Sequence, residues 1–169
     1  MSKTIPLLLF FIICAVLPAT AAGTRPPDAW NYYHFGGRAF TAGPAADGSV
    51  FVALQDRMRP VILTSRTAQI EKTALPDEAG AVAGICYTQI SGGKLGSAND
   101  FRPHPRTQLL ISSGGTQPVT VQTDDHGYFV AVLPAGTYAV SSGPFRGEIT
   151  VQRGRTTLVP VRAGKRMVD

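Results

Sequence analysis

The run Thr123-Asp124-Asp125-His126-Gly127-Tyr128-Phe129-Val130-Ala131-Val132-Leu133-Pro134-Ala135-Gly136-Thr137-Tyr138 decides the fold. Its first part is turn chemistry. Asp side chains bond nearby backbone N–H groups, and Gly127 accepts positive φ. Tyr128 to Leu133 then carries apolar residues on both faces, which predicts a central strand of a sandwich. Pro134-Ala135-Gly136 reverses the chain, with Pro fixing φ and Gly supplying the permissive position. Tyr138 returns to the sheet, where its ring fills core and its hydroxyl reaches the rim.

Strand candidates recur outward from this run at short intervals. They are Ala81–Gln89, Thr107–Ser112, Pro118–Thr123, Tyr128–Leu133, Thr137–Ser141, Glu148–Val151 and Thr156–Arg162. Leu109/Ile111, Val119/Val121, Tyr138/Val140 and Ile149/Val151 each repeat at a period of two, so each pair lies on one face. Pro160 removes a backbone donor and makes the last run an edge or a bulged strand. Seven short strands punctuated by Gly, Pro and Asp predict an all-β sandwich over residues 80–164, with 165–169 as a tail. The 18 Gly and 13 Pro agree with many turns and few helices. Ser91 to Arg106 reads as one long loop, a length often tied to function. Its Phe101-Arg102-Pro103-His104-Pro105-Arg106 end is stiffened by prolines, which lowers the entropy lost on binding.

Residues 23–79 read as an irregular extension. Thr24-Arg25-Pro26-Pro27-Asp28 resembles a linker, and Gly36-Gly37 and Gly43-Pro44-Ala45-Ala46-Asp47-Gly48 are turn clusters. Ser49–Gln55 and Val61–Arg66 form a hairpin across Asp56 to Pro60. Thr67–Leu75 has weak helical character. So short a stretch makes a poor independent core, so it is expected to pack on the second half. Trp30-Asn31-Tyr32-Tyr33-His34-Phe35 is either a core strand or an exposed aromatic surface.

The two central motifs, Thr123 to Phe129 and Leu133 to Tyr138, resemble the core of carboxypeptidase regulatory-like domains. These are prealbumin-like (transthyretin-like) sandwiches, similar also to the Cna-B repeats of surface proteins. Val82-Ala83-Gly84-Ile85-Cys86 is similar to the family's V-x-G-x-V opening strand, with Cys in the last place. Val151 to Leu158 fits its closing turn and strand. The resemblance covers residues 80 to 163 and implies a seven-stranded Greek-key sandwich. It implies a fold and no particular activity.

The amino terminus sets the compartment. Lys3, the apolar run Ile5 to Leu17, Pro18 and Ala19-Thr20-Ala21-Ala22 follow the secretory signal pattern over residues 1–22. The run is about 13 residues, short of the ~20 that span a bilayer as a helix. The alternatives are a retained anchor or lipidation at Cys14. Cleavage after Ala21 or Ala22 lowers the net charge from +5 to +4 and leaves no transmembrane span. The expected location is therefore periplasmic, outer-membrane-associated or secreted. With Cys14 removed, Cys86 stands alone, so no internal disulfide forms and it reads as a small buried side chain.

Catalytic spacings do not occur. His34, His104, His126 and Cys86 show no paired zinc-ligand spacing, and Asp124-Asp125 opens no calcium loop. No G-x-S-x-G elbow is present. Among transthyretin-like relatives, hydroxyisourate hydrolases end in Tyr-Arg-Gly-Ser, whereas this chain ends Gly164-Lys165-Arg166-Met167-Val168-Asp169. Intradiol dioxygenases bind iron through two Tyr and two His, and the surroundings of His104 and His126 do not resemble theirs. Asn31 and Asn99 lie outside the closing strand, which argues against the Lys–Asn cross-link of Cna-B repeats. Scattered arginines exclude a nucleic-acid footprint. The reading is a non-catalytic module, without cofactor or metal, for protein interaction or structural support in the cell envelope. The alternatives are a carbohydrate-binding module and, behind it, a hydrolase accessory domain or enzyme. The expected partner is an envelope protein, or alternatively a polysaccharide. Trp30, Tyr32, Tyr33, Phe101, Arg102, His104 and Arg106 are the candidate contact residues.

Overall fold

A single strand, β5 (Ala79–Ser91), organises the molecule, because it is covered on both faces and paired on both edges. The computed structural model of the chain describes residues 29–43, 49–65, 68–91, 100–115, 117–143 and 145–167. The expected signal peptide and linker, and most of the loop after Ser91, lie outside these. β5 pairs in parallel with β12 (Thr156–Met167) along one edge. Along the other it pairs antiparallel with β9 (Tyr128–Pro134) and then with β6 (Phe101–Pro103). Every residue from Ala79 to Tyr87 is buried, which explains an apolar run with no polar alternation.

A second sheet runs β11 (Phe145–Val151), β10 (Gly136–Ser142), β7 (Gln108–Ser112) and β8 (Val119–Gln122) in that spatial order, all antiparallel. It packs on one face of β5 and β9. The dry interior contains Val82 and Cys86 from one side and Leu109, Ile111, Val140, Ile149 and Val151 from the other. Phe129, Ala131 and Leu133 complete it. All seven strand candidates of residues 80–164 are strands, but β6 adds an eighth inside the expected loop, so the seven-stranded count is corrected. β12 pairs on one side only and shifts register between Arg162 and Gly164, as Pro160 requires. It continues through Met167, into the residues that read as a tail.

The larger correction lies in residues 29–75. The expected hairpin forms, but it is half of a four-stranded third layer in the order β2-β1-β3-β4 rather than part of an irregular stretch. The four strands are β1 (Asn31–Phe35), β2 (Phe40–Ala42), β3 (Phe51–Leu54) and β4 (Val61–Leu63). Phe35 and Val52 on its inner face meet Ala83, Ile85, Tyr87 and Tyr128, the odd-numbered residues of β5 and the start of β9. Phe51, Ala53 and Leu63 point outward and are covered by Trp30, Tyr32, Val61 and Ile70. The extension thus packs on the sandwich, as its small apolar content requires.

Two further expectations are corrected. Thr67–Leu75 forms no helix among its described residues. Ala74 bridges Met58, Arg59 N–H donates to Thr73 O at 2.8 Å, and Leu75 N–H donates to Arg57 O at 2.8 Å. Those groups are satisfied across the chain rather than along it. β9 is apolar on both faces for a different reason than expected. By ladder it pairs only with β5, but it sits in the middle layer, with Phe129 and Ala131 facing one core and Tyr128 and Val130 the other.

Glycine is obligatory at two points of the spine, Gly80 and Gly84, where a Cβ would collide with neighbouring backbone carbonyls. Gly84 pairs with Phe129, whose ring lies over it; a Cβ there would sit 2.7 Å from the ring's Cε1 and Cζ and collide with the Val159 carbonyl of β12. The central glycine of the V-x-G-x-V motif therefore lets an aromatic ring and a neighbouring strand close on the backbone.

Candidate functional site

The site grows from the Thr123–Phe129 turn. Asp124 Oδ1 accepts the backbone N–H groups of His126 and Tyr128, each at 2.8 Å. The Gly127 N–H donates to Asp124 O, and Gly127 holds φ +80 beside Pro103 and His104. Buried Thr123 links the turn to its neighbours. Its Oγ1 donates to His104 O at 2.7 Å and accepts the Thr107 N–H at 2.8 Å.

β6 is brought here by pairing Tyr87 with Pro103, Thr88 with Arg102 and Gln89 with Phe101. The end of the expected loop is thus a strand, because its backbone completes the edge of β5 that β9 leaves open. Phe101 then packs edge-on against Phe35, with ring centroids 4.8 Å apart, and against Tyr87 at 6.2 Å. Between these elements lies a cavity of about 440 Å³, lined by Phe35, Ser49, Val50, Ile85, Phe101, Pro103, Pro105, Asp125, His126 and Tyr128. Its walls are aromatic and proline-rich, with Asp125 and His126 at the rim, a composition suited to apolar groups with a polar end.

An exposed ion pair marks the rim. Arg106 Nε donates to Asp125 Oδ1 at 2.8 Å, and both side chains are exposed. That hydrogen bond and the guanidinium charge hold the Asp125 carboxyl below its ordinary range and push Arg106 up. Arg106 adopts φ +52 to make this corner. On the wall, the Tyr128 hydroxyl donates to Val50 O at 3.4 Å. Burial first, with the Asp124 charge adding to it, pushes its pKa up to about 12 against a bond with the Phe35 backbone.

A pH dependence follows. The folded chain keeps the Tyr128 proton to about pH 12, whereas the unfolded chain releases it near 10. The contribution is intact below pH 10 and is lost as pH rises from 10 through 12, on the order of 3 kcal/mol in all. Urea midpoints measured across pH 9 to 12 are expected to fall more steeply for this chain than for Tyr128→Phe. Parallel curves would remove the assignment.

Of the sequence-derived contact residues, Phe101 lines the cavity and Arg106 anchors its rim. His104 is half-buried and committed: Nε2 bonds Thr88 Oγ1, its N–H donates to Cys86 O, and its carbonyl accepts from Thr123. Arg102 is exposed and alternates away from Phe101 and Pro103. Trp30 and Tyr32 lie half-buried on the outer face of the third layer, with Tyr32 edge-on to Phe51 at 5.6 Å. Tyr33 alternates to the inner face, paired with Val52 and Ala42. The aromatic segment therefore does not form one platform.

Phe35, Ser49, Val50, Ile85 and Tyr128 were not legible as site residues. Their convergence depends on the third layer docking on β5, and the Phe35 and Phe101 rings that close it are far apart in sequence. Cys86 is buried and contacts Ser142 Oγ at 3.7 Å; burial raises its thiol pKa. Among the described residues no three His, Cys, Asp or Glu side chains are grouped to hold a metal ion.

No protein-family model matches the chain, and no curated protein matches it. Among solved structures it is similar to GBS52, the minor pilin of Streptococcus agalactiae, at 11% identity and a TM-score of 0.43, over 75% of this chain and 64% of that one. It is also similar to a DUF3823 family protein from Parabacteroides merdae, at 15% identity and a TM-score of 0.37, over 52% of this chain and 46% of that one.

Proposed function

We propose that this chain is an exported, non-catalytic module of prealbumin-like type that binds a protein partner at the cell envelope through the Phe35–Phe101–Tyr128 cavity. The signal pattern of residues 1–22 supports export to the periplasm, the outer membrane or the medium. The observation that carries the binding role is the cavity itself. Prolines, aromatic rings and the exposed Arg106–Asp125 pair converge there from three separate segments. Walls set by packing and by a hydrogen-bonded turn lose little entropy when a ligand side chain enters. The recognition reading is supported by the prior commitments of the cavity's neighbours: the His104 ring is bonded to Thr88 Oγ1 and the Thr123 hydroxyl to the His104 carbonyl.

The test is site-specific photo-crosslinking in the living envelope. A photoreactive residue at Pro105, on the cavity, is expected to trap discrete protein adducts. The same residue at Leu110, 43% exposed on the outer face of β7, is expected to trap none of them. Identical adducts from both positions, or none from Pro105, would refute the reading. Trp30 and Tyr32 sharing one face favours a second reading, carbohydrate binding. Retardation on polysaccharide affinity gels that Trp30→Ala abolishes would support it.

A further inference from the structure

The geometry points to a second docking site, on the opposite side of the sandwich: we propose that the free edge of β11 accepts an extended, acidic segment of a partner protein as an added strand. It stands independently of the cavity.

Among the described residues, β11 is the free edge least protected against pairing. β2, β4 and β6 have three residues each and β8 four. β12 carries Pro160 and a register shift. β9 is largely buried, and its Tyr128 carbonyl is taken by the Asp124 N–H. β11 has seven residues, pairs with β10 alone, contains no proline, and exposes Arg146, Gly147, Glu148 and Thr150. Short length, proline and bulges are among the devices by which edges avoid pairing. β11 has none of these three; its protection is limited to the charges of Arg146 and Glu148.

The register says which groups are offered. In an antiparallel ladder, residues alternate between exchanging both bonds with the partner and pointing both away. Thr150 O accepts from Thr157 Oγ1 of β12 at 2.8 Å, so Thr150 belongs to the outward set, and Arg146 and Glu148 belong with it. Their N–H and C=O groups face a cleft of about 790 Å³ between β11 and β12. The cleft is tied at one end by that Thr–Thr contact and at the other by Arg162 stacking over Phe145 at 6.0 Å.

Charge selects the occupant. Arg146, Arg155 and Arg162 line the cleft against the lone carboxylate of Glu148. A second copy would bring the same arginines to the same edge, in a chain of net charge +5, and so is disfavoured. A segment alternating acidic and apolar residues fits, with carboxylates toward the arginines and apolar groups toward the sheet-to-sheet seam.

The probe is an acetylated, amidated octapeptide alternating Val and Glu, titrated into the purified chain and followed by amide NMR and hydrogen exchange. Shifts centred on Gly147 to Thr150, and slowed exchange at Arg146 and Glu148, are expected. The Val–Lys counterpart, and a Val–Glu peptide with a central proline, are expected to bind at least about tenfold more weakly. Glu148→Pro removes an outward donor while deleting the one repelling charge, so it is expected to lose binding that Glu148→Gln keeps. Arg146→Glu with Arg155→Glu tests the charges should the proline variant not fold. Equal binding of the Lys or proline peptides, or no protection at Arg146 and Glu148, would overturn the proposal.

Discussion

Gly84→Val is expected to leave no folded chain at 37 °C. A Cβ at this position already reaches 2.7 Å from the Phe129 ring and overlaps the Val159 carbonyl of the parallel partner strand. Overpacking costs about 1–3 kcal/mol where neighbours can yield. Here one obstacle is backbone held in a ladder, and Val adds two methyl groups to the clash. The loss should exceed about 4 kcal/mol, set against a total stability on the order of 5–15. Gly84→Ala is the milder form, and pairing it with Phe129→Leu should recover part of its loss, because the two share one contact. Thermal melts read both. A soluble Gly84→Val chain with the parental melting temperature would contradict the layering.

The second large effect is expected at Phe35. This ring is 6% exposed and touches Phe40, Tyr87 and Phe101, with centroids 5.5, 4.7 and 4.8 Å away. It is the largest side chain that the third layer buries against β5. Phe35→Ala should cost about 3–5 kcal/mol, the range for emptying an aromatic site in a packed core. It also removes a wall of the cavity, so partner crosslinking from Pro105 should fall even at temperatures where the chain stays folded. A cost under about 1 kcal/mol, within the range of surface changes, would mean that the third layer does not dock as described.

The sandwich was legible because its signals are local. Asp124, Gly127, Pro134 and Gly136 write their turns into neighbouring residues, and period-two pairs such as Leu109/Ile111 mark faces within five residues. Pro160 marked its strand as an edge in the same way. Of the third layer, the β3–β4 hairpin was legible, whereas β2 was hidden because it is three residues long, too short to show a period. Its stability comes from Ile85, Tyr87 and Tyr128, which lie more than twenty residues further along the chain. β6 was hidden by its own Pro103, a residue that sequence alone assigns to a loop. Of the candidate contact residues, Phe101 and Arg106 lie at the cavity, whereas Tyr32 and Tyr33 fall on opposite faces of β1, with Trp30 on the side of Tyr32.

Residue-resolved hydrogen exchange tests the central claim, that β5 is a spine covered on both faces and paired on both edges. The amides of Ala81 to Tyr87 are expected to exchange only with global unfolding. Those of Arg146 and Glu148, on the open edge of β11, should exchange orders of magnitude faster. Ala81 to Tyr87 exchanging as readily as the short edge strand Phe40–Ala42 would contradict the account.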